Sequence, residues 1–167
     1  MLNYMQEFSF KLHTIQIKVR KMTVTFCGHG DIQYGSEIKK KLYEMLENLI
    51  NQGADEFLLG GYGNFDMMAA HTVRDLKEQY PNIQSVFVMP YLNREYDTAL
   101  YDETIYPDIE HIPKRLAIIK RNEYMVDAAD VVIAYVEHGW GGAAKTMMYA
   151  IKKGKQIVSL CENSRSL

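Results

Sequence analysis

Five short apolar runs, each separated from the next by a longer stretch, constrain this chain more than any other feature. Residues 23–27, 56–59, 85–89, 131–135 and 156–160 read as strands. They are nearly continuous in apolar residues, as strands are when both faces of a parallel sheet are covered. Four of the intervals read as helices. Ile38, Leu42, Met45, Leu46, Leu49 and Ile50 recur at three-to-four spacing over 36–52, with Ser36 as N-cap and Gly53 as stop. Phe65, Ala69, Val73 and Leu76 mark a second helix from about Asn64 to before Pro81. A third runs from Pro113 to about Ala129, and a fourth from about Ala143 to Lys153, closed by Gly154. Strand–helix alternation of this kind requires right-handed crossovers. The expected fold is therefore α/β: a Rossmann-like three-layer α/β/α arrangement with a five-stranded, mainly parallel sheet. Strand orders 3-2-1-4-5 and 2-1-3-4-5 both fit.

The 167 residues are enough for one domain, placed at 22–161, with a tail at 162–167. Residues 1–21 read as an extension. Glu7, Lys11, His13 and Lys18 interrupt any secretory signal there. Met22 would serve as a start, and the alternation of Ile15, Ile17 and Val19 would equally suit an added edge strand. No apolar run reaches the roughly 18 residues of a membrane span. Cys27 and Cys161 have no metal-ligand spacing and fit reduced thiols in a cytoplasmic protein. A net charge of -2 gives no bulk attraction to nucleic acid. Residues 91–112, rich in tyrosine and acids, read as a long loop. Its Asp97, Asp102, Glu103, Asp108 and Glu110 suit a solvated lid better than a metal site.

In an open parallel sheet, ligands lie beyond the carboxyl ends of strands where the order reverses. With order 3-2-1-4-5, that edge collects Gly28 and Gly30, then Gly60, Gly61 and Gly63, then Gly139, Gly141 and Gly142. These are eight of the 11 glycines in the chain, so the loops favour close backbone approach by an anionic ligand. They are not a dinucleotide fingerprint: Gln33 stands where a third small residue belongs, and Gly60 where a ribose-binding acid belongs. No phosphate-loop Gly-Lys-Ser/Thr occurs either, and no cofactor is implied. Arg121 and Asn122 fall on the apolar stripe of the third helix, so they face a polar cavity, enter a structural salt bridge or hydrogen-bond the helix to the sheet. His29 suits ligand polarisation or a backbone hydrogen bond. Asp66 suits a ribose hydroxyl or the helix dipole. Tyr62 and Trp140 would offer faces to a base. Lys145, in the first turn of the fourth helix, would counter a phosphate.

The pattern Arg121-Asn122, Met125, Ala129-Asp130, Ile133-Ala134, then Gly139, Gly141 and Gly142, resembles the SLOG superfamily. That group includes DNA-processing protein A and the "lonely guy" cytokinin-activating enzymes, and the Gly28-His29 opening looks closest to the YpsA-like branch. The resemblance covers residues 22–160. It implies a Rossmann-like nucleotide-binding fold whose pocket includes Gly28, His29, Gly60, Gly61, Arg121, Asn122, Gly139, Gly141 and Gly142. In the "lonely guy" enzymes the last glycine loop carries a glutamate that works with the arginine. Here Lys145 stands in its place, which weakens the phosphoribohydrolase reading. A sensor or regulatory domain for a nucleotide-like small molecule is the leading expectation. A nucleotide N-glycosidase, with its carboxylate from Asp66, Glu123 or Glu137, is the alternative. Single-stranded DNA binding ranks third, because the acidic segment 91–112 argues against a basic track at the same edge. A homodimer through helices suits the fold, and no sequence feature signals it directly.

Overall fold

The computed structural model describes residues 21–32 and 35–161. The extension up to residue 20, with its candidate edge strand, lies outside the described residues, as do Gln33 and the tail. Six strands form one sheet: β1 (Met22–Gly28), β2 (Ala54–Leu59), β3 (Gln84–Val88), β4 (Glu103–Ile105), β5 (Val131–Tyr135) and β6 (Gln156–Ser159). Every pairing is parallel, in the order β4-β3-β2-β1-β5-β6. The helices are α1 (Gly35–Asn51), α2 (Asn64–Lys77), α3 (Ala117–Ala128) and α4 (Gly141–Lys152), with a 3-10 turn at Lys114–Leu116 before α3.

Strand alternation builds the three layers. Val24, Phe26, Phe57, Leu59 and Ile133 join Leu42, Leu46, Val73 and Leu76 of α1 and α2 in one core. The intervening Cys27, Val132 and Ala134 pack with Val126 of α3 and Ala150 of α4 on the opposite face. Leu58, Val86, Val88 and Met125 extend that second core toward β3. Thr25, buried among these residues, satisfies its hydroxyl by donating to the Leu58 carbonyl at 3.1 Å.

The sheet has one strand more than the sequence pattern predicts. β4 lies inside the expected loop and pairs three residues with β3, Val86 opposite Glu103 through Val88 opposite Ile105. It forms because the segment is tied down on either side. Asp102 accepts from the Ser85 N–H at 2.9 Å and its hydroxyl at 3.0 Å and is ion-paired with Lys77. Those contacts hold the Asp102 carboxyl below its ordinary range against the opposing effect of burial. Tyr96 and Tyr101 pack on Phe87 at 5.0 and 4.9 Å between ring centroids. The segment is thus anchored to the sheet at β4 and these rings.

Strands β1 to β4 progress in one direction across the sheet, and the chain then crosses to β5 and β6 on the other side of β1. The order reverses between β1 and β5. Their carboxyl ends form the crevice where ligands of open parallel sheets sit.

Candidate functional site

Backbone geometry first joins the two strands at the reversal. The His29 N–H, just past β1, donates to the Tyr135 carbonyl at the end of β5 (3.0 Å). The His29 ring then accepts the Glu137 N–H at Nδ1 (3.1 Å). An accepting Nδ1 places the proton of the neutral ring on Nε2. That Nε2 is buried and has no hydrogen-bond partner. Burial, reinforced by the neighbouring His138, lowers the His29 pKa. The His29 ring stacks on His138 (centroids 3.6 Å apart), and His138 on Trp140 (3.8 Å).

The loop after β2 is built differently. Gly61 and Gly63 hold φ of 62° and 92°, left-handed values that favour glycine. A Cβ on Gly60 would lie 2.7 Å from Asp66 Oδ2 and 3.1 Å from the Arg121 guanidinium carbon, so both side chains converge there. Asp66 Oδ2 also accepts the Tyr62 N–H at 3.0 Å. Burial raises the Asp66 pKa to about 6, against the opposing pull of that N–H and of Arg121. Tyr62 itself is 70% exposed.

Arg121 is only 1% exposed. Its Nη1 donates to the carbonyls of Gly60 (2.6 Å) and Val88 (2.8 Å), where β2 and β3 end, and its Nε donates to Asn122 Oδ1 (2.8 Å). Of the roles open to it from sequence, the structure shows the helix-to-sheet hydrogen bond. Burial lowers its pKa, opposed chiefly by Asp66. The Asn122 amide donates to Thr146 Oγ1 (3.2 Å), which donates to the Gly142 carbonyl (3.0 Å). A relay of side chains therefore ties the β2 and β3 ends to the first turn of α4.

The glycines divide by function. A Cβ on Gly28 would fall 2.1 Å from Phe65 Cδ1, so Gly28 lets α2 pack on β1. Gly30, Gly141 and Gly142 have no atom within 4 Å of an added Cβ, and Gly139 is exposed beside them. A Cβ on Gly63 would lie 3.7 Å from Gly30 Cα, so the first two loops run side by side there. Asn122, Gly141, Gly142 and Lys145 lie along a groove of about 570 Å³ between α3 and α4, walled by Ile118, Ile119 and Met148. Among the described residues no group of three or more His, Cys, Asp or Glu could hold a metal. Sequence reasoning missed His138 and Thr146. His138 sits two residues before Trp140, and Thr146 stands one helical turn beyond Gly142.

A family model described as the YspA SLOG family matches residues 28–159. This chain belongs to that family. It is 26% identical over 151 residues to a UPF0398 protein of Halalkalibacterium halodurans, covering 83% of this chain and 78% of that one. It is 21% identical over 131 residues to the UPF0398 protein YpsA of Bacillus subtilis, covering 71% and 73%. Among solved structures, the fold resembles DNA processing protein A of Streptococcus pneumoniae at TM-score 0.61 and 16% identity. That match covers 83% of this chain and 50% of the other. The Helicobacter pylori DNA processing protein A, described for its single-stranded DNA binding mode, gives TM-score 0.59 at 18% identity, covering 86% and 66%. The Moco carrier protein of Chlamydomonas rheinhardtii gives 0.54 at 16%, covering 84% and 76%. The chain thus spans half the length of the pneumococcal protein.

One expectation loses its footing. The acidic segment was the argument against a nucleic-acid partner, yet Asp102 there is paired with Lys77. Lys114, Arg115, Lys120, Lys145 and Lys152 lie on the 3-10 turn, α3 and α4, with Lys120 ion-paired to Glu123, and Lys153 just past α4 is paired with Asp127. The structure therefore gives no support to excluding nucleic acid. Among the described residues no helix is long and apolar enough to cross a membrane.

Proposed function

We propose that this protein binds a nucleotide or nucleotide-derived ligand at the reversal between β1 and β5, as a sensor or regulatory domain. One contrast carries the reading. The N-termini of α2 and α4 flank this edge, and neither has a side-chain cap. The first turn of α2 contains Asp66, which supplies negative charge to the helix dipole. The first turn of α4 contains no acid. Its glycines leave open space, and Lys145 stands exposed there with no ion-pair partner among the described residues. An anion such as a phosphate fits the start of α4. The two free cysteines are in keeping with a cytoplasmic setting.

Two further observations bear on alternatives. Asp66, a carboxyl with its pKa raised to about 6 beside Arg121, supports the second reading, hydrolysis of an N-glycosidic or phosphoester bond. The neighbours described for single-stranded DNA binding and as a Moco carrier keep larger ligands in view.

The test is a titration with nucleoside mono-, di- and triphosphates, ADP-ribose, NAD and a short oligo-dT, read by thermal shift, with each incubated ligand then chromatographed. A ligand at 100 times its Kd should add about 2.7 kcal/mol of stability. Binding without breakdown, lost in Lys145→Glu, supports the sensor reading. Release of free base or phosphate that stops in Asp66→Asn supports the hydrolase. Silence across the panel refutes both.

A further inference from the structure

The loops after β1 and β5 together carry a column of three aromatic rings. His29 is its foot, His138 the middle plate and Trp140 the top, with both contacts at an interplanar angle of 17°. The foot is fixed. His29 is 9% exposed, and Nδ1 is engaged by the Glu137 N–H. The middle is fixed too, since His138 Nδ1 lies 3.1 Å from the Trp140 carbonyl, closing a tight turn within the loop. The top is different. One face of the Trp140 ring is covered by His138, yet the residue remains 72% exposed, which leaves the opposite face in solvent. A large apolar ring held in place with a bare face, at the ligand-binding edge of the sheet, is an arrangement that hydration opposes. A flat partner that completes the stack would remove that cost.

We infer that this column is a base-stacking platform, and that the ligand is recognised through a planar nucleobase laid on the outer face of Trp140. The inference rests on the ligand site proposed above and narrows its chemistry. A sugar phosphate alone would satisfy the start of α4 but leave the platform bare, whereas a nucleotide would engage both. The rings are aligned before any ligand arrives. Stacking therefore needs little ordering of the loop, and preorganisation of this kind favours affinity. A purine, with the larger face, would gain more than a pyrimidine.

The experiment compares AMP, ribose 5-phosphate and inorganic phosphate by isothermal titration calorimetry on the full chain. Quenching of Trp140, the chain's one tryptophan, provides an optical readout. Base–aromatic stacking predicts that AMP binds about ten-fold or more tightly than ribose 5-phosphate. Trp140→Ala should bring AMP down to the level of ribose 5-phosphate without changing ribose 5-phosphate itself, and Trp140→Phe should keep most of the gain. His138→Ala, which removes the middle plate, should weaken AMP selectively. Because Trp140 is exposed, these top-plate variants should fold normally, checked by unchanged thermal stability. Equal binding of AMP and ribose 5-phosphate in the unmodified protein, or AMP binding indifferent to Trp140→Ala, would overturn the platform while leaving the anion site intact. Binding of none of the three would overturn both.

Discussion

Asp66 offers the sharpest physical test of the site. Its carboxyl is raised from 3.8 to about 6, chiefly by burial. A raised carboxyl binds its proton more tightly in the folded chain than in the unfolded one. Its contribution to stability is therefore complete below about pH 4 and is lost as the pH climbs through about 6. A difference of two units or so, at ~1.4 kcal/mol per unit, puts that loss at about 3 kcal/mol by pH 8. Asp66→Asn removes the titration while keeping an oxygen that can accept the Tyr62 N–H. The assay is urea unfolding of both proteins at half-unit steps from pH 4.5 to 8. The stability of the unmodified protein, less that of the variant, should fall by about 2 kcal/mol across this range, most of it between pH 4.5 and 6, and level off above that. A flat difference would show that water reaches the carboxylate freely. A difference that rises with pH would show that Arg121 outweighs burial, and the argument from desolvation would be wrong.

Other perturbations probe the scaffold. Arg121→Met should cost about 3–5 kcal/mol, because the carbonyls of Gly60 and Val88 and the Asn122 oxygen lose their shared donor; calorimetric melting reads this directly. Gly28→Ala drives a methyl into the Phe65 ring and should cost about 1–3 kcal/mol, and pairing it with Phe65→Leu should recover part of that loss in urea titrations. Cys27, buried and pushed up to about 12, should resist a thiol reagent at pH 8 until the chain unfolds; rapid native-state labelling at that position would contradict its burial. His29 has its pKa lowered, so its share of stability should grow as the pH rises through the ordinary histidine range, and His29→Gln should flatten that slope.

Much of this architecture was legible in the residues, because periodicity reports burial directly. The strands and helices fall within a few residues of their expected places, and the structure selects the 3-2-1-4-5 order with one strand added at the edge. β4 escaped because only Ile105 of its three residues is apolar, and three residues carry no period. The residue pattern places the start of α4 two residues late because glycines are poor helix formers, yet Gly141 opens the helix with φ 90°. The glycine-rich loops were legible as a cluster at one sheet edge, but the separate packing roles of their residues were not. The sequence shows that Gly28 and Gly142 are both glycines. It does not show that Phe65 fills the space beside one and nothing fills the space beside the other. Nor does it show that His29 and His138, from the ends of β1 and β5, share a stack. Such facts depend on distant segments meeting, which local patterns do not encode.

The buried guanidinium has a consequence for how chains of this kind are compared. Arg121 and Asn122 tie three carbonyl-bearing segments together, so the pair serves the scaffold whether or not a ligand is bound. Descendants that change ligand, or lose it, would still be held to the same two residues by the need to close the sheet edge. Their presence in another chain would therefore speak first for the scaffold and not for a shared ligand. A change of occupation would be written instead in the exposed residues around the start of α4, at Trp140 and Lys145, where selection is free of the scaffold's demands.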